Sequence, residues 1–253
     1  MSGEASRHFV LTALGLTKSW RSSDRTFELV VDRIALSSGD ILAVSGPSGS
    51  GKSTLLEVIG TVTPPDTVER FDIVVDGDLI DMAAIISHGS ASQRAAVRAA
   101  YFGFILQTGG LIPYLTVGEN ILLAQELARK PDPDYAHSIC STLGIDGLMQ
   151  SYPASLSVGQ RQRAAIARAL APRPALILAD EPTAALDPPN KVTVIECFIR
   201  LATDANTAVL IASHETELLT AHGISGVRIE TDLVPSQNGE HVLSHLKAPE
   251  ASK

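Results

Sequence analysis

Cysteine, methionine and aromatic residues are scarce. Of 253 residues two are Cys, three are Met and one is Trp, and Phe, Tyr and Trp together make up 4%. Cys140 and Cys197 stand far apart with no metal-ligand spacing around them, which excludes a disulfide scaffold and fits a reducing cytoplasm. Long apolar runs are missing too. The stretches 175–179 and 208–212 fall well short of the roughly 18 residues a membrane helix needs. Basic side chains are outnumbered 20 to 28, a net charge of −8, which excludes a chain that grips nucleic acid through a broad basic face. Internal repeats and low-complexity tracts are absent.

What remains suffices for a large core: 45% of the residues are apolar and 19% charged. Short runs rich in β-branched residues at 27–31, 41–44, 73–75, 176–179 and 209–212 read as strands, several of them continuous, as in a parallel sheet buried on both faces. Helix-compatible stretches at 161–170 and 191–202 lie between the later ones, so the chain reads as α/β. The apolar stretch 9–16 follows Arg7 and His8 but is too short for an export leader. It contains Thr12 and Gly15 and runs into Lys18-Ser19-Trp20 without a cleavage site, so it reads as a first strand. Over 108–164 the strand signals vanish, and 119–130 and 133–143 read as helices parted by Lys130-Pro131-Asp132-Pro133. The organisation read from this is one domain over 1–234, with a core of 1–107 and 165–234 around a helical insert. A polar tail, 235–253, holds a last hairpin at Asn238-Gly239 and a frayed end.

The strand at 41–44 leads into Gly46-Pro47-Ser48-Gly49-Ser50-Gly51-Lys52-Ser53-Thr54, and a helix follows. This is the G-x-x-x-x-G-K-S spacing of a P-loop, in which glycines let successive N–H groups turn toward phosphate oxygens and a helix N-terminus adds partial positive charge. Lys52 supplies a full charge for the β- and γ-phosphates, and Ser53 a hydroxyl for Mg²⁺. The apolar run 176–179 ends in Asp180-Glu181. An acid at such a strand end holds Mg²⁺ opposite the loop hydroxyl, which places Asp180, and the next residue, Glu181, is positioned to polarise an attacking water. Taken alone, Ser157-Val158-Gly159-Gln160 reads as a capped helix start, with Ser157 as N-cap and Arg161, Arg163 and Arg168 on solvated faces.

The set GPSGSGKST, FILQ, LSVGQRQR, LILADEPT, ALD and ASH, in this order, resembles the ATP-binding cassette (ABC) ATPases over about 9–230. The resemblance implies a P-loop NTPase (RecA-like) core with a mostly parallel sheet, an N-terminal antiparallel β subdomain and an inserted helical subdomain. It makes Asp180 the Walker B acid, Glu181 the catalytic glutamate, Gln107 the Q-loop residue at the metal and water, and His214 the switch histidine on the γ-phosphate. It assigns Ser157, Gly159 and Gln160 to a signature presented to ATP on a second subunit, and Asp187 to the D-loop. Trp20 falls where the family places an aromatic against adenine, a stack worth about 1–3 kcal/mol; a Trp at a sheet edge is the alternative reading.

The chain departs from the family pattern in two places. Val158 stands where the signature has glycine, and a β-branched residue stiffens a turn that could need unusual φ. The segment 64–71 lacks the expected glycine turn. The stretch 102–121 looks most like the lipoprotein-release, macrolide-efflux and cell-division group. The resemblance therefore implies an ATP- and Mg²⁺-dependent hydrolase, paired with a second cassette as a homodimer. It would serve a transmembrane permease from the cytoplasm, peripheral on the inner face of the membrane, through the 110–117 surface. A soluble regulatory or assembly clamp and a non-hydrolysing partner cassette are the competing readings.

Overall fold

The computed structural model describes residues 9–23, 25–184, 186–236 and 239–247. Strands β1 (Phe9–Arg21) and β2 (Arg25–Ser37) form a long hairpin. β4 (Arg70–Val75) and β5 (Asp78–Asp81) extend it on the β1 side, giving four antiparallel strands. The second sheet is parallel throughout, in the order β6 (Phe102–Ile105), β7 (Leu176–Asp180), β8 (Ala208–Ala212), β3 (Ile41–Ser45) and β9 (Ser225–Arg228). This is the α/β core with an antiparallel N-terminal sheet that the sequence led us to expect.

Strand periodicity explains how the two sheets share a core. Leu176, Leu178 and Leu210 point one way, into a cluster with Leu11, Leu29, Phe71 and helix α1 (Lys52–Ile59). Ile177, Ala179, Val209 and Ile211 point the other way, onto α6 (Val158–Leu170) and α7 (Pro188–Ala205). Both faces are therefore covered, as continuous apolar strands require.

The insert holds α4 (Val117–Leu127) and α5 (Pro133–Thr142), and side-chain caps fix their starts. Thr116 and Glu119 form a reciprocal capping box on α4, and Asp132 accepts from Tyr135 N ahead of a proline in the first turn of α5. Helix α6 runs without interruption across residue 164, where the sequence reading set the boundary between insert and core. Three α-helices have no counterpart in the sequence reading: α2 (Met82–His88), α3 (Ala91–Tyr101), which a Ser90–Gln93 capping box starts, and the short helix that follows β8. The apolar surface of α3 is mainly alanine, and none of its residues is fully buried. After β8 a short helix, α8 (Thr216–Ala221), leads to β9.

The polar tail holds a packed strand. β10 (Glu230–Ser236) and β11 (Gly239–Leu246) are antiparallel, and β11 pairs in parallel with β2 from Glu240↔Arg25 to Leu246↔Val31. Val242 and Leu246 are buried. The turn at Asn238 and the end from 248 lie outside the described residues.

Candidate functional site

β3 runs straight into the Gly-rich loop and α1 leaves it, so the loop is held between a buried strand and a buried helix. Gly51 is the N-cap of α1 with φ 91°, and a Cβ there would come 2.6 Å from Phe27 Cζ, so glycine is required on conformational and steric grounds. Lys52 is buried, and its Nζ donates to Gly46 O at 3.1 Å and Pro47 O at 3.2 Å. The same Nζ lies 3.1 Å from His214 Nε2.

The acids arrive on β7. Asp180 ends the strand opposite Ala212 of β8, and its Oδ1 is buried with no hydrogen-bond partner. Glu181 occupies left-handed backbone (φ 45°), which costs a non-glycine residue about 1–3 kcal/mol. Its N–H donates to Ala212 O at 2.9 Å, and its Oε2 accepts from His214 N at 3.3 Å. Oε1 lies 3.4 Å from His214 Nε2, within ion-pair reach but without hydrogen-bond alignment, and is also buried. Leaving two carboxylate oxygens unsolvated is costly unless a cation or water meets them.

Ser48, Gly49, Gly51, Lys52, Ser53, Thr54, Gln107, Asp180, Glu181 and His214 line one cleft of about 600 Å³. Gly46, Pro47 and Ser50 belong to the same loop, with Ser50 buried beneath it. Arg25, Phe27 and Glu215 also line the cleft, and the sequence reading missed all three. Phe27 reaches it because hairpin register sets it opposite Trp20, a pairing visible only once β1 and β2 are aligned. Trp20 itself is 48% exposed at the end of β1, with Lys18 Nζ 5.0 Å above its ring, and is not among the residues lining the cleft. Glu215, next to His214, is ion-paired with Lys191 of α7.

Ser157, Gly159, Gln160 and Asp187 lie outside this cleft. Ser157 and Gln160 cap α6 reciprocally, through Gln160 N to Ser157 Oγ at 3.2 Å and Ser157 N to Gln160 Oε1 at 2.8 Å. Gly159 faces the Asn190 side chain, which donates to Asp187 Oδ1 at 2.8 Å, so the four form one patch. Val158 is the first helical residue and is not among the residues with positive φ. The strain expected there is absent, because an ordinary helical turn accepts valine. Arg168 is not solvated as the capped-helix reading had it. It is half-buried and donates to Gly109 O and Gly110 O.

The donor set suits Mg²⁺. Asp180 offers an unmet buried carboxylate oxygen in the cleft that Ser53 and Gln107 also line. These are hard oxygen donors, too few for an all-protein cage, which matches a cation that keeps waters and phosphate oxygens. Among the described residues no cluster of three or more His, Cys, Asp or Glu could hold a metal by itself.

The sequence model of the ABC transporter family matches residues 32–184. The lipoprotein-releasing system ATP-binding protein LolD 1 of Rhodopirellula baltica is 35% identical over 83% of this chain and 89% of its own. The ABC transporter ATP-binding protein YxdL of Bacillus subtilis is 38% identical over 72% of this chain and 68% of its own. Among solved structures, a dimeric ATP-binding cassette in a post-hydrolysis state with ADP and phosphate superposes with a TM-score of 0.69 at 27% identity, covering 82% of this chain and 89% of that one. The chain belongs to the ABC transporter family, as an ATP-binding and ATP-hydrolysing cassette.

Proposed function

We propose that the chain powers a separate membrane permease of the lipoprotein-release or macrolide-export type, working as a homodimer on the cytoplasmic face of the membrane. Relatives named as lipoprotein-releasing ATP-binding proteins, 30–38% identical, support this choice of group. No helix among the described residues is long and apolar enough to cross a membrane, so the transmembrane path would belong to the partner.

Lys52 and the loop N–H groups bind and orient the β- and γ-phosphates of ATP. Ser53, Asp180 and Gln107 would hold Mg²⁺, which when bound offsets charge on the phosphate oxygens. Glu181 takes a proton from the attacking water, and His214, held by Glu181 and Lys52, stays within reach of the γ-phosphate. Trp20 and Phe27 offer an aromatic wall for adenine.

The carrying observation is the separation of two patches on one chain. The phosphate cleft is lined without Ser157, Gly159, Gln160 and Asp187, which form a patch of their own. In a head-to-tail pair each patch would close the other copy's cleft, and hydrolysis would release the pair. An apolar groove of about 510 Å³ between α3 and α4, next to the 110–117 loop, offers a seat for a cytoplasmic segment of the permease.

The test is Glu181→Gln in the full chain. The variant should bind Mg·ATP, dimerise on it and lose turnover, and normal turnover would overturn the assigned base. Copurification of the chain with a multi-spanning protein from solubilised membranes tests the permease, and a chain recovered only from the soluble fraction argues for the clamp instead.

A further inference from the structure

The segment carrying Gln107 is shaped by two glycines in left-handed backbone, Gly109 (φ 76°) and Gly110 (φ 60°). Gly109 N donates to Leu106 O at 2.8 Å, so Gln107 sits inside a closed turn. The carbonyls leaving that turn face α6. Arg168 Nη1 donates to Gly110 O, and Nη2 donates to Gly109 O at 3.3 Å. A planar fork on two consecutive carbonyls fixes direction as well as distance, which the point charge of lysine does not.

Arg168 stands in the last turn of α6, the helix that begins at the Ser157–Gln160 cap. Burial draws its pKa below the ordinary guanidinium value, yet a guanidinium keeps its proton, so the contact persists at all working pH. Arg168 also lines the groove between α3 and α4, beside Asn120. Asn120 is buried and pins the next stretch of loop, accepting from Ile112 N at 2.7 Å and donating to Leu115 O at 3.1 Å and Thr116 O at 2.9 Å. Signature helix, groove and Gln107 turn therefore meet at one side chain.

We propose that Arg168 is a positioning residue for Gln107: anchored on the signature helix, it sets the backbone of the Gln107 turn and makes that glutamine's place depend on the helix and on whatever fills the groove. The inference rests on the role of Gln107 given above.

A double-mutant cycle of Arg168→Lys with Gln107→Ala, in the full chain, tests it. Arg168→Lys alone should lower kcat about ten- to hundredfold, the cost of a small misplacement at a distance, with KM for ATP within about twofold. In the Gln107→Ala background the same change should cost less than about twofold, because its route is gone. Thermal unfolding should shift equally in both backgrounds, which separates positioning from stability. Equal kinetic losses in both backgrounds, no loss from Arg168→Lys, or a Gln107→Ala enzyme as active as the parent overturns the proposal. Retention of Mg·ATP by the parent and its loss in Lys52→Ala test the nucleotide site separately.

Discussion

Lys52 Nζ and His214 Nε2 lie 3.1 Å apart, joining the phosphate loop to the turn after β8, and Glu181 holds the other side of that turn through His214 N. The cation that would meet the γ-phosphate and the acid that would activate water thus share one residue, the first through its imidazole and the second through its backbone amide. His214→Ala should leave nucleotide affinity within a few-fold, since the loop N–H groups and Lys52 remain. Turnover should fall by about 10²-fold, the low end for loss of a group acting on the proton-transfer step. Equilibrium binding of a fluorescent nucleotide alongside steady-state kcat separates the two, and a loss confined to binding would count against the assignment.

Glu181 is a site where activity and stability oppose each other. Its left-handed backbone (φ 45°) suits glycine, so Glu181→Gly should abolish turnover and raise stability by about 1 kcal/mol. For a chain of this size that is roughly 2–4 °C in Tm. Calorimetry with and without Mg·ATP would show it, and a lower Tm in the nucleotide-free variant would mean that the strain is absorbed elsewhere.

Because Trp20 is the sole tryptophan, its emission reports on its own environment. Saturation with Mg·ATP should quench it. Trp20→Ala and Phe27→Ala should each weaken ATP binding by about 1–2 kcal/mol, roughly five- to thirtyfold, with little preference between ATP and GTP because stacking tolerates any base. Unaltered emission at saturation removes Trp20 from the adenine wall and leaves Phe27.

Burial raises the pKa of both thiols, Cys140 and Cys197, from 9.0 to about 11. The folded chain therefore keeps thiol protons that the unfolded chain releases. Stability from this source is full below about pH 9 and falls as pH rises toward 11. Tm measured from pH 7 to 11 should drop more steeply in the parent than in a Cys140→Ala, Cys197→Ala variant, which cancels the contribution of other groups titrating there. At neutral pH a thiol reagent should label native protein slowly and denatured protein at once.

Much of the site was legible because its chemistry is local. The nine residues from Gly46 to Thr54 carry their own turn, cap and charge, and Asp180 and Glu181 follow directly on a run of buried aliphatics. The helices α4 and α5 announced themselves as the stretches 119–130 and 133–143, parted by Lys130-Pro131-Asp132-Pro133, while the Thr116 cap that starts α4 went unread. What stayed hidden depends on contacts between distant segments. α3 buries none of its residues fully and shows an apolar surface of mainly alanine, too weakly hydrophobic to mark a core-facing helix. Phe27 lines the cleft only through its register with Trp20. Arg168 sits in a run of charges that reads as solvated, although carbonyls far along the chain claim it. Val158 shows the reverse error: a family glycine suggested a special conformation where the backbone is plain helix.

The strand β11 saturates the outer edge of β2 over seven paired residues, from Glu240↔Arg25 to Leu246↔Val31. Without it, a long and regular strand would offer its free amides and carbonyls to any passing chain, a template for fibrous stacking. β10 then becomes the rim, and it is a poor template: it is short, Pro235 has no amide hydrogen to give, and Glu230 and Asp232 repel a like neighbour. The segment that looks most dispensable by composition thus closes an edge along which sheets of separate molecules would otherwise be free to join.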